Sequence, residues 1–165
     1  MEQAVQKLAM PSIGEIWPEQ GGIYLGQLPD PAGTSDWHIV LAPAPAGELV
    51  DQAWGNYGNK IGGADSLSDG HANTLAMADA GSTLAAQILK LEIAGFMDWH
   101  LMSSDEARLA FVSARAHFET EWYWTSMQSS AHGAWIQTFG NGYQLTGDKD
   151  SEYRARAVRR FKLNP

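Results

Sequence analysis

A chain of 165 residues is long enough for one domain with its own core, needing no metal or disulfide staple. Apolar residues at 44% and charged residues at 18% exclude a disordered, coiled-coil or collagen-like polymer. The lack of cysteine excludes disulfides, thiolate nucleophiles and iron–sulfur clusters. The formal charge is −8, yet residues 148–165 carry six Lys/Arg against three Asp/Glu, so the rest of the chain is strongly acidic and disfavours general binding to nucleic acid or anionic membranes.

Residues 1–14 read as an N-terminal extension and 15–165 as the domain. Met1 to Met10 contains Glu2 and lacks both a basic leader and a sustained apolar core, so it does not have the pattern of a Sec signal. No window approaches the 18 to 20 apolar residues of a membrane span, and no membrane insertion is expected. Seven tryptophans and 17 glycines point to a loop-rich fold with aromatic anchors.

Ile13 to Gln27 reads as one or two short strands broken by Pro18 and Gly21-Gly22, and Trp37 to Ala42 as a strand ended by Pro43-Ala44-Pro45. From Gly47 to Gly70 the glycines at 55, 58, 62, 63 and 70 indicate mostly loop. Asn73 or Thr74 is a candidate cap for a short turn through Ala80. Ser82 is the cap of a helix whose Leu84, Ile88 and Leu91 fall at i, i+4 and i+7. Gly95 to Leu101 reads as a strand. Ser103 and Glu106 form a capping-box pattern that opens a helix to about Phe118, with Ala107, Leu109, Ala110, Val112 and Ala114 facing the core.

The last third alternates in β fashion: Trp122 to Thr125, Ala134 to Phe139, Tyr143 to Thr146 and Ala155 to Phe161. Asn141-Gly142 supplies the tight turn of a hairpin from Ala134 to Thr146. Arg154, Arg156, Arg159 and Arg160 suit a solvated edge strand paired with nearby acids. The expected class is α+β, with two helices packed on an antiparallel sheet.

No chemistry-bearing motif emerges. His38, His71, His100, His117 and His132 show no ligand-spaced pair, Asp65 and Asp69 do not match a calcium loop, and neither a phosphate loop nor a Gly-x-Ser-x-Gly elbow occurs. No catalytic residue, cofactor or metal is therefore expected. What stands out is a dense run of stacking and hydrogen-bonding side chains after Tyr123: Ser126, Gln128, Ser129, Ser130, His132, Gln137, Asn141, Tyr143, Gln144 and Thr146. That composition suits a binding surface, in which aromatics supply rigid area and small polar groups adapt. An ordinary two-faced hairpin with Trp135 and Phe139 in the core is the alternative.

An ordered set of motifs adds a family resemblance. Asp69-Gly-His-Ala-Asn-Thr74, Gly95-Phe-Met-Asp-Trp-His-Leu101 followed by Ser103 and Glu106, Tyr123-Trp-Thr-Ser126, Ala134-Trp135, Phe139-Gly-Asn-Gly142 and Arg156-Ala-Val-Arg159 occur in this order. Together they resemble the C-terminal domain of bacterial collagen-like adhesins and related phage proteins, over residues 15 to 161. The resemblance implies a C-type-lectin-like fold, similar to phage tropism determinants and to variable proteins of diversity-generating retroelements. There the displayed C-terminal strands bind the ligand, which corresponds here to Ser126 through Tyr153. It implies a homo-oligomeric protein of the virion tail, acting outside the cell, with a bacterial surface receptor or glycan and other virion subunits as partners. A structural decoration or adaptor component of the virion is the alternative. Met102 replaces the proline usual in the family's turn, and Leu28-Pro-Asp30 is only a fragment of the calcium signature of sugar-binding lectins. A shared fold does not carry lectin activity with it.

Overall fold

The final strand organises the molecule. The computed structural model describes residues 9–33 and 35–163. They form β1 (Ile16–Trp17), β2 (Gly22–Leu28), β3 (Trp37–Leu41), β4 (Glu48–Ala53), α1 (Gly70–Asp79), α2 (Thr83–Leu89), β5 (His100–Leu101), α3 (Ser104–Ala114), β6 (Trp122–Gln128), β7 (Gly133–Thr138), β8 (Gln144–Asp148) and β9 (Glu152–Phe161). β9 pairs antiparallel with β3, β4 and β5 and parallel with β6. The sheet runs β1-β2-β3-β9-β6-β7-β8, with β4 and β5 attached to β9 beside that path.

The strand expected at a solvated edge is thus the hub. Small residues allow this: Ala155, Ala157 and Val158 are fully buried under neighbouring strands. Arg156 and Arg159 are buried with them because their guanidiniums are occupied. Arg156 Nε donates to Ala42 O at 2.7 Å and Nη1 to His117 O at 2.9 Å. Arg159 grips Asp98 through Nε (2.8 Å) and Nη2 (3.3 Å), donates through Nη1 to Gln20, and stacks on Phe96. A guanidinium held by several acceptors and an aromatic face tolerates burial that a bare charge would not.

Both faces of the sheet are covered. Along β2, Ile23 and Leu25 enter one cluster and Tyr24 the other; Tyr123 and Trp124 on β6, and Ala157 and Val158 on β9, divide in the same way. That is the period-two alternation of a strand buried on both sides. One cluster holds Trp17, Trp54, Trp99 and Trp124 with Met77, Leu84 and Ile88 of α1 and α2. The other holds Leu25, Leu41, Phe118, Tyr123 and Phe139 with Ala107 and Ala110 of α3. The expected α+β class holds, with three helices on two faces in place of two, and with one parallel pairing in the sheet.

Other elements differ in instructive ways. β4 lies inside the expected loop. Its half-polar sequence, a register shift between Leu49 and Gln52 and a positive φ of 52° at Asp51 hide the strand pattern. The cap of α1 is Asp69, whose Oδ1 accepts from Ala72 N at 2.9 Å. Asn73 and Thr74, the expected caps, are buried inside the helix. Asn73 brackets Ser66 through both backbone groups, and Thr74 Oγ1 accepts from Leu101 N. Ser82 caps α2, and the Ser103–Glu106 capping box is complete at α3. On α3, Val112 is 83% exposed and does not face the core. The expected strand at 95–101 shrinks to β5 plus an isolated bridge between Ile93 and Phe96.

The extension assigned to 1–14 falls mostly outside the described residues. Within them, Gly14 N donates to Tyr24 O at 2.7 Å, so this residue already belongs to the folded unit.

Candidate functional site

The ten side chains singled out by composition divide into an internal scaffold and two displayed ends. Ser126, Gln128 and Gln137 are buried, so they are not part of a surface. Ser126 Oγ accepts from Asn73 Nδ2 and ties β6 to α1. Gln128 Oε1 accepts from Ile61 N (2.9 Å) and Lys149 Nζ (3.1 Å), while its Nε2 donates to Ile61 O and Asp65 Oδ1. Gln137 Nε2 donates to Ala107 O at 2.7 Å, and its Oε1 accepts from Gln144 Nε2, which also reaches Ser104 O. Buried amides are retained where every donor and acceptor finds a partner. Here they staple the strands to α3 and to the loop around residue 61.

At the β7–β8 end, Asn141 and Tyr143 are exposed, Tyr143 by 67%; Thr146 is exposed as well but lies along β8, opposite Trp135. The turn beneath them is tightly bonded. Gly142 N donates to Thr138 O (2.9 Å), Thr138 N to Tyr143 O (3.0 Å), and Tyr143 N to Asn141 Oδ1 (3.1 Å). Gly142 has a φ of +82°, and a Cβ there would meet the Phe111 ring at 2.9 Å, so both backbone and space require glycine. The register Gln137↔Gln144 and Trp135↔Thr146 then fixes the side on which each residue lies.

At the β6–β7 end, Ser129, Ser130 and His132 are exposed. Ser130 Oγ accepts from His132 N and Gly133 N, which closes the turn. The six residues of β7 separate the two ends by roughly 17 Å at about 3.3 Å per residue. They are therefore two patches.

Tyr57 joins the second patch. It is 49% exposed and sets its ring edge against His132, with centroids 5.0 Å apart. Gly58 N donates to Ala131 O and holds the two loops together. Lys149 supports this region from inside: it is buried, donates to Asn59 O at 2.8 Å, and packs over the Trp54 ring. Burial pushes its ammonium pKa down, with Asp65 acting in the opposite direction. The signal for Tyr57 was an aromatic inside a glycine-rich loop. Lys149 gave no such signal, because a lysine between two aspartates reads as solvated.

Among the described residues, no group of three or more His, Asp or Glu side chains is placed to hold one metal ion. A chelator is accordingly expected to leave the melting temperature unchanged in a thermal scan, because a bound ion would stabilise only the state that holds it. A fall of several degrees would reveal a cation site. Among the described residues, no helix is long and apolar enough to cross a membrane.

The described residues form a mixed α+β domain built on a nine-stranded sheet with three helices. No family model matches the chain, and no curated protein matches it.

Proposed function

We propose that this chain is a non-catalytic recognition domain of C-type-lectin-like form, working in a phage tail as a receptor-binding or accessory protein for a bacterial surface protein or glycan. The observation that carries this reading is Tyr143: an aromatic side chain two-thirds exposed, beside a turn held by three backbone-directed hydrogen bonds and braced on Phe111. An aromatic on a rigid turn loses little entropy on binding, and Asn141 flanks it with an adaptable polar group. Beneath it the buried Gln137 and the half-buried Gln144 hold the displayed strand to α3. The C-type-lectin-like form itself rests on the ordered motifs in the sequence.

A second reading has its own observation. β8 is last in the sheet order, exposed Leu145 and Thr146 lie along it on alternate faces, and Asp148 at its end is the one charged residue of 143–148. An edge so thinly guarded pairs readily with another chain, which suits a decoration or adaptor subunit of a virion.

Binding of the purified, labelled protein to intact bacterial cells separates the two readings, since an adaptor binds particles or itself and not cells. Under the recognition reading, Tyr143→Ala is expected to weaken cell binding about 30-fold, as loss of an aromatic anchor removes about 2 kcal/mol. The melting temperature should stay at the wild-type value. Full binding by Tyr143→Ala together with loss in Tyr57→Ala would move the recognition surface to the β6–β7 end.

A further inference from the structure

A separate site lies on the opposite part of the sheet, independent of the hairpin. A cleft of about 470 Å³ opens between β1, β2 and the 43–44 and 93–94 turns. Ile16, Pro18, Ile23, Pro43, Ala44 and Ile93 form its apolar walls. Its volume lies in the range of small-molecule sites.

One part of the wall is not apolar. Arg156 lines the cleft although the residue is only 1% exposed. Its position is fixed from the cleft's own frame. Nε donates to the carbonyl of Ala42, next to Pro43, and Nη1 to the carbonyl of His117, itself at the rim. Nη2 makes no hydrogen bond among the described residues, and Arg156 is part of the cleft lining.

The charge count favours an anion there. Among the described residues, the one carboxylate within 4 Å of Arg156 is Glu48, at 3.7 Å, and Glu48 is shared with Arg154 at 3.6 Å. It also accepts the Tyr123 hydroxyl. Arg156 thus shares its one near carboxylate with a second guanidinium. A buried cation with a free donor and an incomplete counter-charge is stabilised by an incoming anion.

The geometry points to a binding site for a small amphipathic carboxylate, its alkyl or aromatic body against Ile16, Ile23 and Ile93 and its carboxylate on Arg156. A body of about eight carbons suits a cleft of this size. An apolar cation is excluded by the same guanidinium, although the net charge of the protein would attract it.

The test is calorimetric titration of the full chain with octanoate, octanol and octylammonium, chosen for equal chain length. Octanoate is expected to bind about tenfold or more tightly than octanol, the worth of a charge-assisted hydrogen bond, and octylammonium not to bind. Ala44→Trp, at an exposed position on the rim, should weaken octanoate by a similar factor while the melting temperature stays unchanged. Arg156→Gln should remove the preference for octanoate over octanol. If that variant fails to fold, amide shift mapping of the wild-type protein replaces it, with perturbations expected around Ile23, Ile93 and Ala94. Equal affinity for octanol and octanoate, no saturable octanoate binding, or octanoate shifts at the β7–β8 hairpin would each overturn the assignment. Cell binding through Tyr143 is untouched by any of these outcomes.

Discussion

Replacing Trp99 with alanine is expected to cost about 3–5 kcal/mol, the range for truncating a buried large aromatic, and so to unfold most of the population if the domain has ordinary stability. Trp99 is fully buried and packs in the cluster that joins Leu84 and Ile88 of α2 to Leu101, Trp124 and Trp54. Its indole Nε1 donates to Phe96 O at 2.9 Å. Alanine therefore leaves a cavity and removes one of the two hydrogen bonds to Phe96 O, which keeps Ile93 N as its donor. Trp99→Phe keeps most of the volume and should lose about 1–2 kcal/mol, mainly for the hydrogen bond. Val112→Ala on the exposed face of α3 should stay within about 0.5 kcal/mol of wild type. Urea unfolding followed by far-UV circular dichroism reads all three, and a wild-type midpoint for Trp99→Ala would refute this packing.

Local chemistry was legible in the sequence where it acts over a few residues. Ser82, the Ser103–Glu106 box and Asn141-Gly142 each act within one turn of chain, and each appears where its spacing put it. Non-local partners were not legible. The four arginines of β9 read as a solvated edge because arginine usually is solvated. Only the folded chain brings Asp98, Gln20, Ala42 and His117 to Arg159 and Arg156, and with them the means to bury a cationic strand. β4 is hidden for a related reason: its pairing depends on β9, about a hundred residues away, while Asp51 and the bulge break the alternation.

The candidate surface followed the same division. Tyr143 was legible because a tight turn forces its flanking residue outward. The glutamines were not, since an amide that binds a partner and one that staples a loop have the same composition. Gln128 and Gln137 are fully engaged with Ile61, Asp65, Ala107 and Gln144. Trp99 packs in the cluster of α1 and α2 and not in that of α3, although α3 begins only five residues after it in the chain.

Glu106→Ala is expected to lower stability by about 3–5 kcal/mol, because it strands the buried His100 ring and the Ser103 N–H that the carboxylate holds. Glu106 and His100 are each about 1% exposed, with His100 Nε2 at 2.9 Å from Oε2, and Oε1 also accepts from Ser103 N at 2.9 Å. His100 Nδ1 has no other partner among the described residues, so without the carboxylate both ring nitrogens are stranded along with the α3 cap. Burial pushes the Glu106 carboxyl pKa up, but the charge and hydrogen bond of His100 and the Ser103 backbone and hydroxyl donors outweigh it and hold it below its ordinary 4.5. The folded value is depressed, so this contribution is fully present above the unfolded value of 4.5 and is lost as pH falls through the folded one. Glu106→Gln keeps the shape and one acceptor but carries no titrating group. Its stability should therefore fall less steeply than wild type between about pH 5 and about pH 3. Other carboxylates, such as Asp30 beside Lys162, contribute equally to both proteins and cancel in the difference. Urea midpoints of the two proteins from about pH 7 to about pH 3 measure that difference. Curves that run parallel throughout would mean that the carboxyl of Glu106 is already protonated in the folded chain.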